Sequence, residues 1–392
     1  MTEKKIYVRY DLIYILLIFF AISILSIYYA QQMDQYGGEN FVLKQAVWII
    51  AGIIAIVLIQ FLDISILYSL SFIFYLFGLA LLILLLISPE SIVPYINGAY
   101  SWFRFQGITF QPSELVKITT ILFLSAVISK HKEKYDIANM KSDFLLLFKI
   151  ILIGMLPVML ILLQPDFGTA MVVIVITVFM LFLSNINWKI ILLIASMSIV
   201  LFSLFILSAI KFPVFMEEVF KIDTYQIDRI QTWVGLAENQ SQETYQIDRA
   251  LLAIGSGQLN GYHAESSLYI PESHTDFIFS VIAHKFGFFG SSVVIFLYFL
   301  LIYKLIQIGM KVHQINPFGA YICFGYMTLI FIHAFQNIGM NIGVMPITGI
   351  PLLLISYGGS STLAALAGYG LIYKVACVQS EAGKYMFNEE KQ

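Results

Sequence analysis

Residues 66–87 read ILYSLSFIFYLFGLALLILLLI and contain no charged side chain. An apolar run of about 20 residues is long enough to cross the hydrocarbon core of a bilayer as an α-helix. The run does not alternate between apolar and polar residues, as a strand of a transmembrane barrel would. Because lipid offers backbone groups no hydrogen-bonding partner, this stretch predicts a membrane-spanning helix.

The composition of the whole chain agrees with this helix. Of its 392 residues, 59% are hydrophobic and 12% are charged, and 33 are Phe and 23 are Tyr. A soluble domain carries about 25% charged residues, and it could not hide so many apolar side chains without large exposed patches. The net charge of -2 offers no basic field for a phosphate backbone. These values exclude a soluble enzyme, a disordered chain and a nucleic-acid binder, and they indicate an all-α, polytopic integral membrane protein.

About ten apolar runs are long enough to span a membrane. We expect the spans near residues 11–30, 43–62, 66–87, 113–129, 145–163, 168–184, 188–210, 276–305, 317–341 and 350–377. The run at 276–305 is long enough to tilt or to extend beyond the bilayer. Residues 211–275 form the one substantial polar segment, in which TYQIDR occurs at 224–229 and again at 244–249. The sequence therefore predicts a single membrane domain, 1–392, with one large outer loop.

The positions of Lys and Arg predict the orientation of these helices. Of the 22 basic residues, fourteen lie at the termini or in loops on the same side as the termini. Six lie on the opposite side and two lie within spans. Cytoplasmic loops carry the excess of Lys and Arg. We therefore expect both termini in the cytoplasm, an even number of helices, and the 211–275 loop outside.

Two charged residues lie at the start of the fourth span, in QPSELVKITT (111–120). Glu114 and Lys117 are three residues apart and so share one face of a helix. In one interpretation Glu114 serves the helix N-terminus and Lys117 extends its amine to the interface. In the other, the two form a charged pair that faces a polar cavity. We favour the cavity because Lys117 lies a full turn inside the span, where ionisable groups usually mark function.

Three further candidates lie next to spans. Asp166, in QPDFGT (164–169), either caps the following helix or joins a polar site, and the spacing leaves both interpretations open. Trp102 suits the aromatic belt at the membrane interface. Arg104 suits a lipid phosphate, which an arginine holds through two parallel hydrogen bonds.

The densest group of polar residues is YIPESHTDFIFSVIAHKFGFFG (269–290). Ser273 and Asp276 fit the acidic variant of a capping box at the start of the eighth span. Alternatively, Asp276 is a carboxylate at the mouth of a cavity, where partial loss of solvent would make it a better general base. His284 and Lys285 lie two turns further in, and a structural role is the more common one for such a histidine.

The last two spans carry NIGMNIGVMPITGIPLLLISYGGSS (337–361). Small Gly and Ser residues allow close helix packing, but Asn337, Asn341, Ser356, Ser360 and Ser361 could equally line a polar path. Acidic and basic groups near one membrane surface suit a lipid-linked phosphate substrate. They also suit a proton-coupled transporter, and the residues alone do not separate these two functions.

Together these motifs resemble the SEDS family (shape, elongation, division and sporulation), most closely its rod-shape branch. The resemblance runs from about residue 8 to 378 and is carried, in the family's order, by AYSWFRFQGITFQPSELVKI, QPDFGTA, PESHTDFIF and NIGMNIGVMPITGIPLLLISYGGSS. It implies a ten-helix peptidoglycan glycosyltransferase that polymerises lipid II at the outer face of the bacterial cytoplasmic membrane. The implied partners are membrane lipids, lipid II with the lipid-linked glycan chain, and a class B penicillin-binding protein that supplies the transpeptidase.

The resemblance also implies roles for individual residues. Asp276 matches the family's essential carboxylate and is expected to be the general base that activates the acceptor sugar of lipid II. Glu114 and Lys117 match the charged pair of the family's fourth helix, and Trp102 with Arg104 matches its outer-loop pair. The residues predicted to bind substrate are Trp102, Arg104, Glu114, Lys117, Asp166, Arg229, Ser356 and Ser360.

In the reaction that the resemblance implies, undecaprenyl pyrophosphate departs and needs positive charge. Arg104, Lys117 and Arg229 are the expected sources, with a divalent cation, magnesium or manganese, as the alternative. The chain departs from the family at His284 and Lys285, where members often carry two acidic residues, and at LNGYHAE (259–265), where they are glycine-rich.

Two other functions stay open beside the glycosyltransferase. One is a lipid II flippase that uses Glu114, Asp166 and Lys117 as a polar relay. The other is a non-enzymatic scaffold of the cell-wall synthesis complex.

Overall fold

The computed structural model describes residues 8–33, 38–96, 99–105, 108–135, 139–212, 215, 242–262 and 269–389. Its α-helices are α1 (Tyr10–Gln31), α2 (Phe41–Gln60), α3 (Ile64–Ile87), α4 (Pro112–Lys134), α5 (Met140–Leu162), α6 (Phe167–Leu183), α7 (Trp188–Lys211), α8 (Gln242–Ser256), α9 (Ile278–His313), α10 (Pro317–Asn341) and α11 (Gly359–Glu389). Strands β1 (Phe103–Phe105) and β2 (Ile108–Phe110) pair antiparallel.

The helices confirm the prediction of an all-α, polytopic membrane protein. Within the described residues, nine helices are long and apolar enough to cross a membrane, and α6 is a shorter apolar helix. The amphipathic helix α8 lies inside the predicted outer loop. The direction in which the chain crosses the membrane, and thus the cytoplasmic position of both termini, stays a prediction.

Helices α4 and α10 form the centre of the bundle, whereas α7 is almost entirely exposed at its edge. The sequences explain this difference. Helix α4 carries Glu, Lys, Ser and Thr among its apolar residues, and such groups need partners when they leave water. Helix α7 is rich in Leu, Ile and Phe, which lipid solvates without cost. The polar helix is therefore the buried one, and the apolar helix faces the hydrocarbon.

The predicted span at 350–377 is wrong at its start, because α11 begins at Gly359. Residues 342–358, which we call the re-entrant segment, are not helical. Pro346 and Pro351 explain the difference, since proline lacks a backbone donor and keeps the preceding residue out of the helical region. The backbone carbonyls that lack helical partners accept from side chains on neighbouring helices: the hydroxyl of Tyr298 donates to Leu353, and that of Ser23 donates to Ile355. Non-helical backbone at this depth is tolerated because it is surrounded by protein.

The long helix α9 is broken at Gly287, whose φ of 63° lies in the left-handed region. Residues 257–262, which belong to the predicted outer loop, fill the break. The backbone nitrogen of Tyr262 donates to the carbonyl of His284 (2.8 Å), and that of Phe288 donates to the carbonyl of Gln258 (2.9 Å). A side chain at Gly261 would collide with the carbonyl of Lys285, so only glycine fits. Residues 257–262 and the start of α9 are therefore joined through their backbones.

The same contact explains the role of the His284 side chain. Its ring stacks on Tyr262 with centroids 5.1 Å apart, and its Nδ1 lies 2.6 Å from Oγ of Ser256 on α8. The neighbouring Lys285 places its amine over the ring of Tyr29. Both side chains thus hold α9 against its neighbours, which is the structural interpretation.

Candidate active site

A cavity of about 1090 Å³ opens among α2, α4, α6, α10 and the re-entrant segment. It lies at the end of the bundle that the orientation prediction places outside. Six of the predicted site residues line it: Trp102, Glu114, Lys117, Asp166, Asp276 and Ser360. Residues from five separate parts of the chain therefore meet in one polar space.

Two predicted site residues in the described part of the chain, Arg104 and Ser356, do not line this cavity. Arg104 is exposed on β1, where it pairs with Thr109. Ser356 is buried and its hydroxyl serves the backbone, because it donates to the carbonyl of Thr275 (2.7 Å) and accepts from the nitrogen of Leu352 (2.9 Å). Arg229 lies outside the described residues.

Asp276 lies in the turns that precede α9. The N-cap residue of α9 is Phe277, without a side-chain capping bond, so Ser273 and Asp276 do not form the expected capping box at the start of this helix. Its carbonyl oxygen accepts hydrogen bonds from the side chains of Asn337 (2.8 Å) and Asn341 (3.0 Å). Its carboxylate lies against Gly349, since a Cβ built there would be 3.6 Å from Oδ2.

The segment that carries Asp276 is held against the re-entrant segment by several hydrogen bonds. Asn337 donates both to the carbonyl of Asp276 and to that of Ile350 (2.8 Å). The backbone nitrogen of Tyr357 donates to the carbonyl of His274 (2.8 Å). Asn337, Asn341 and Ser356 thus order backbone near the cavity. Ser360 and Ser361 line the cavity, as the polar-path interpretation expected.

Glu114 and Lys117 form a buried ion pair on α4, with Oε1 and Nζ 2.8 Å apart. The amine of Lys117 also lies 3.0 Å from Nε2 of His333 on α10. His333 is buried, and its Nδ1 lies 3.0 Å from the carbonyl oxygen of Pro351. Sequence reasoning missed His333. A histidine in the middle of an apolar span is the signal that could have drawn attention to it.

Asp166 satisfies both interpretations that the sequence left open. It is the N-cap residue of α6, and its Oδ1 accepts from the backbone nitrogen of Thr169 (3.1 Å). Its Oδ2 accepts from the hydroxyl of Thr169 and from the amide of Gln111, both at 2.9 Å. The carboxylate therefore caps a helix and fixes a cavity wall at the same time.

A second cation, Lys44 of α2, lines the cavity. From the sequence, Lys44 contributed only to the prediction of orientation. Its amine lies 2.7 Å from Oε2 of Glu39, and both side chains are exposed. The hydrogen bond from Lys44 holds the pKa of the Glu39 carboxyl below its ordinary value.

His274 packs beside this pair. Its ring lies 4.3 Å from that of Phe41 and 5.6 Å from that of Tyr357, measured between centroids. Burial lowers the pKa of His274 from 6.5 to about 4, because the charged imidazolium would lose its hydration. The histidine next to the Asp276 turn is therefore neutral near pH 7.

Comparisons with known proteins agree with these motifs. The family of cell cycle proteins that comprises FtsW, RodA and SpoVE matches residues 6–381. The probable peptidoglycan glycosyltransferase FtsW of Neisseria gonorrhoeae is 31% identical, over 93% of this chain and 83% of that protein. The peptidoglycan glycosyltransferase MrdB of Escherichia coli K12 is 32% identical, over 75% of each chain. These identities do not separate the division branch from the rod-shape branch.

Two solved structures share the fold. A chain from a peptidoglycan synthase complex that coordinates polymerization and crosslinking aligns with a TM-score of 0.74 and 26% identity, over 95% of this chain and 98% of that one. The rod shape determining protein RodA of Thermus thermophilus aligns with a TM-score of 0.65 and 27% identity, over 94% and 96%. The chain therefore belongs to the FtsW/RodA/SpoVE family of cell cycle proteins.

Proposed function

We propose that the protein is a peptidoglycan glycosyltransferase of the bacterial cytoplasmic membrane, which polymerises lipid II during elongation and shape maintenance. The names of its relatives support this activity. The observation that carries the proposal is that Asp276, Lys117 and Lys44 line one cavity. The orientation prediction places this end of the bundle outside. A carboxylate and two amines in one site can serve the acceptor and the pyrophosphate of the donor together.

The proposed base is Asp276. Its carboxylate takes the proton from the 4-hydroxyl of the acceptor sugar, and the hydroxyl oxygen attacks the anomeric carbon of the lipid-linked donor chain. The bond from that carbon to the pyrophosphate breaks, and the configuration inverts. Because pyrophosphate is a weak base, its departure needs no general acid. One carboxylate is then sufficient, unlike the two that glycoside hydrolases use.

The amines of Lys117 and Lys44 supply the positive charge that stabilises the departing pyrophosphate in this proposal. Lys117 is buried and held in place, whereas Lys44 is exposed. A divalent cation is the alternative source of charge. The described residues contain no cluster of three metal-binding side chains, but magnesium often uses one or two carboxylates together with substrate phosphates. Asp276 and Glu272, both of which line the cavity, would be those carboxylates.

The proposed partner is a class B penicillin-binding protein, which would crosslink the glycan strand as it leaves the cavity. The similar chain from a peptidoglycan synthase complex supports this assignment. The lipid tails of donor and acceptor would reach the cavity sideways between helices, since the helices expose long apolar faces that suit hydrocarbon.

The test uses purified protein reconstituted with lipid II, and the product is separated by gel electrophoresis. We expect glycan polymer with the wild type and a loss of about 100-fold or more with Asp276→Asn, in the range of a lost general base. The matched control is Asp248→Asn, because Asp248 is an exposed carboxylate on α8 that does not line the cavity. This control should polymerise at the wild-type rate.

Three outcomes would contradict the proposal. Normal polymerisation by a folded Asp276→Asn variant would show that Asp276 is not the general base. Transfer of lipid II across vesicles without polymer would favour the flippase. A protein that neither polymerises lipid II nor moves it across vesicles, even after addition of the transpeptidase partner, would favour the scaffold.

A further inference from the structure

The buried amine of Lys117 makes a second contact that the charged pair alone does not explain. Lys117 exposes 2% of its surface and His333 exposes 1%. Nζ lies 2.8 Å from Glu114 and 3.0 Å from Nε2 of His333. The two residues are 216 positions apart in the chain, so the contact is made by the packing of α4 against α10.

The chemistry of these contacts determines where the protons are. An ammonium group only donates, so Nε2 of His333 must accept with its lone pair. In a neutral imidazole the other nitrogen then carries the proton, and Nδ1 donates it to the carbonyl oxygen of Pro351 at 3.0 Å. Both nitrogens of His333 are therefore used by the protein. Although its ring lines the cavity, it offers no polar atom to a substrate.

The amine of Lys117 is left with a defined direction. It has three N–H bonds, and within the described part of the chain Glu114 and His333 are its two hydrogen-bonding partners. The third N–H can therefore point to a ligand, because Lys117 also lines the cavity. A lysine held by one partner would keep rotational freedom and would lose it only when substrate binds. A second partner removes that freedom before binding, so the entropy cost is not part of the binding step.

The carbonyl of Pro351 connects this arrangement to Asp276. Pro351 and Ile350 are adjacent in the re-entrant segment, and the Ile350 carbonyl accepts from Asn337, which also holds the backbone of Asp276. The amine of Lys117, through His333, and the backbone of Asp276, through Asn337, are thus both linked to the adjacent residues Ile350 and Pro351.

We infer that His333 is a positioning residue, whose Nε2 fixes the amine of Lys117 toward the pyrophosphate of the lipid-linked donor while its Nδ1 anchors the pair to Pro351. This inference rests on the proposed glycosyltransferase activity. The benefit arises mainly in the transition state, where negative charge grows on the leaving oxygen. We therefore expect His333 to affect kcat more than KM.

Two substitutions separate the halves of this role. In His333→Gln the side-chain oxygen stands at the ε position, so it can still accept from Lys117, but the bond to Pro351 is lost. In His333→Asn the amide nitrogen stands at the δ position, so it can still donate to Pro351, but the acceptor for Lys117 is lost. The matched controls are His313→Gln and His313→Asn, because His313 is exposed at the opposite end of α9.

Polymerisation of lipid II is measured for all variants, as kcat and KM, with the melting temperature in detergent as a second readout. We expect His333→Gln to keep activity within a few-fold and His333→Asn to lose about ten- to hundredfold in kcat at unchanged KM, the effect of one lost charged hydrogen bond. Both controls should match the wild type. His333→Asn should also melt at a lower temperature than His333→Gln, because it leaves a buried ammonium short of an acceptor.

Equal activity in both His333 variants would overturn the inference, as would an active His333→Asn beside an inactive His333→Gln. Loss of activity in both folded variants would also overturn it. If the wild type makes no polymer, the proposed function fails. The order of the melting temperatures of His333→Gln and His333→Asn then tests the contact between His333 and Lys117 without an activity measurement.

Discussion

Two ion pairs of nearly equal length lie at the cavity and differ in their surroundings. Glu114 and Lys117 are 2.8 Å apart, with side chains 6% and 2% exposed. Glu39 and Lys44 are 2.7 Å apart, with side chains 57% and 46% exposed. Judged only by the distance between nitrogen and oxygen, the two pairs would be equivalent. Their energetics differ because the buried pair has lost its water and the exposed pair has kept it.

The buried pair is costly to assemble and more costly to break. Desolvation of two ions offsets much of their attraction, so such a pair adds little net stability. Removal of one partner, however, leaves a charge with neither water nor counter-ion. The exposed pair is screened by solvent and salt, and its loss leaves both groups hydrated. The comparison therefore predicts a large loss of stability when the buried pair is broken and a small loss or none when the exposed pair is broken.

The largest expected effect comes from Lys117→Met, which leaves Glu114 unpaired in the centre of the bundle. We expect a loss of about 3–5 kcal/mol in the free energy of unfolding, measured by chemical denaturation in detergent, and a loss of polymerisation. The double variant Glu114→Gln/Lys117→Met should recover most of the stability and stay inactive. Equal stability of the single and double variants would show that the two charges are not coupled.

The next effect concerns His274, which packs on Phe41 beside the exposed pair but is itself buried. Its pKa in the fold is about 4, below the ordinary 6.5, because burial disfavours the charged form. Its neutral form therefore contributes stability above pH 6.5, and this contribution is lost as the pH falls from 6.5 through 4. The loss is at most about 3 kcal/mol.

The measurement is the melting temperature of the wild type and of His274→Phe between pH 7.5 and pH 4.5, where phenylalanine keeps the aromatic packing and removes the titration. The wild type should lose more stability on acidification than the variant. Parallel curves for the two proteins would contradict the assignment.

The smallest expected effect comes from Glu39→Gln, which breaks the exposed pair. We expect no measurable change in melting temperature at high salt and at most a slight decrease at low salt, because counter-ions already screen the pair. A decrease comparable with that of Lys117→Met would mean that exposure does not separate the two pairs.

Some features of the site could be predicted because they depend on local spacing. Glu114 and Lys117 share a helix face through their separation of three residues, and Asp166 caps α6 through its contact with Thr169. Other features could not be predicted. The break of α9 at Gly287 depends on distant residues 257–262, which fill it. Pro346 and Pro351 end the helical pattern before α11 locally, but the path of the backbone up to Gly359 depends on donors from distant helices.

The sequence by itself determined the class of fold and the family. Apolar runs of membrane length permit only helices, since lipid leaves no other way to satisfy the backbone, and the ordered motifs agree with the family that matches residues 6–381. Only the tertiary structure decided which polar groups meet. Lys117 contacts His333, and Asp276 lies against Gly349, because the packing of helices brings together residues far apart in the chain. No local periodicity encodes such contacts.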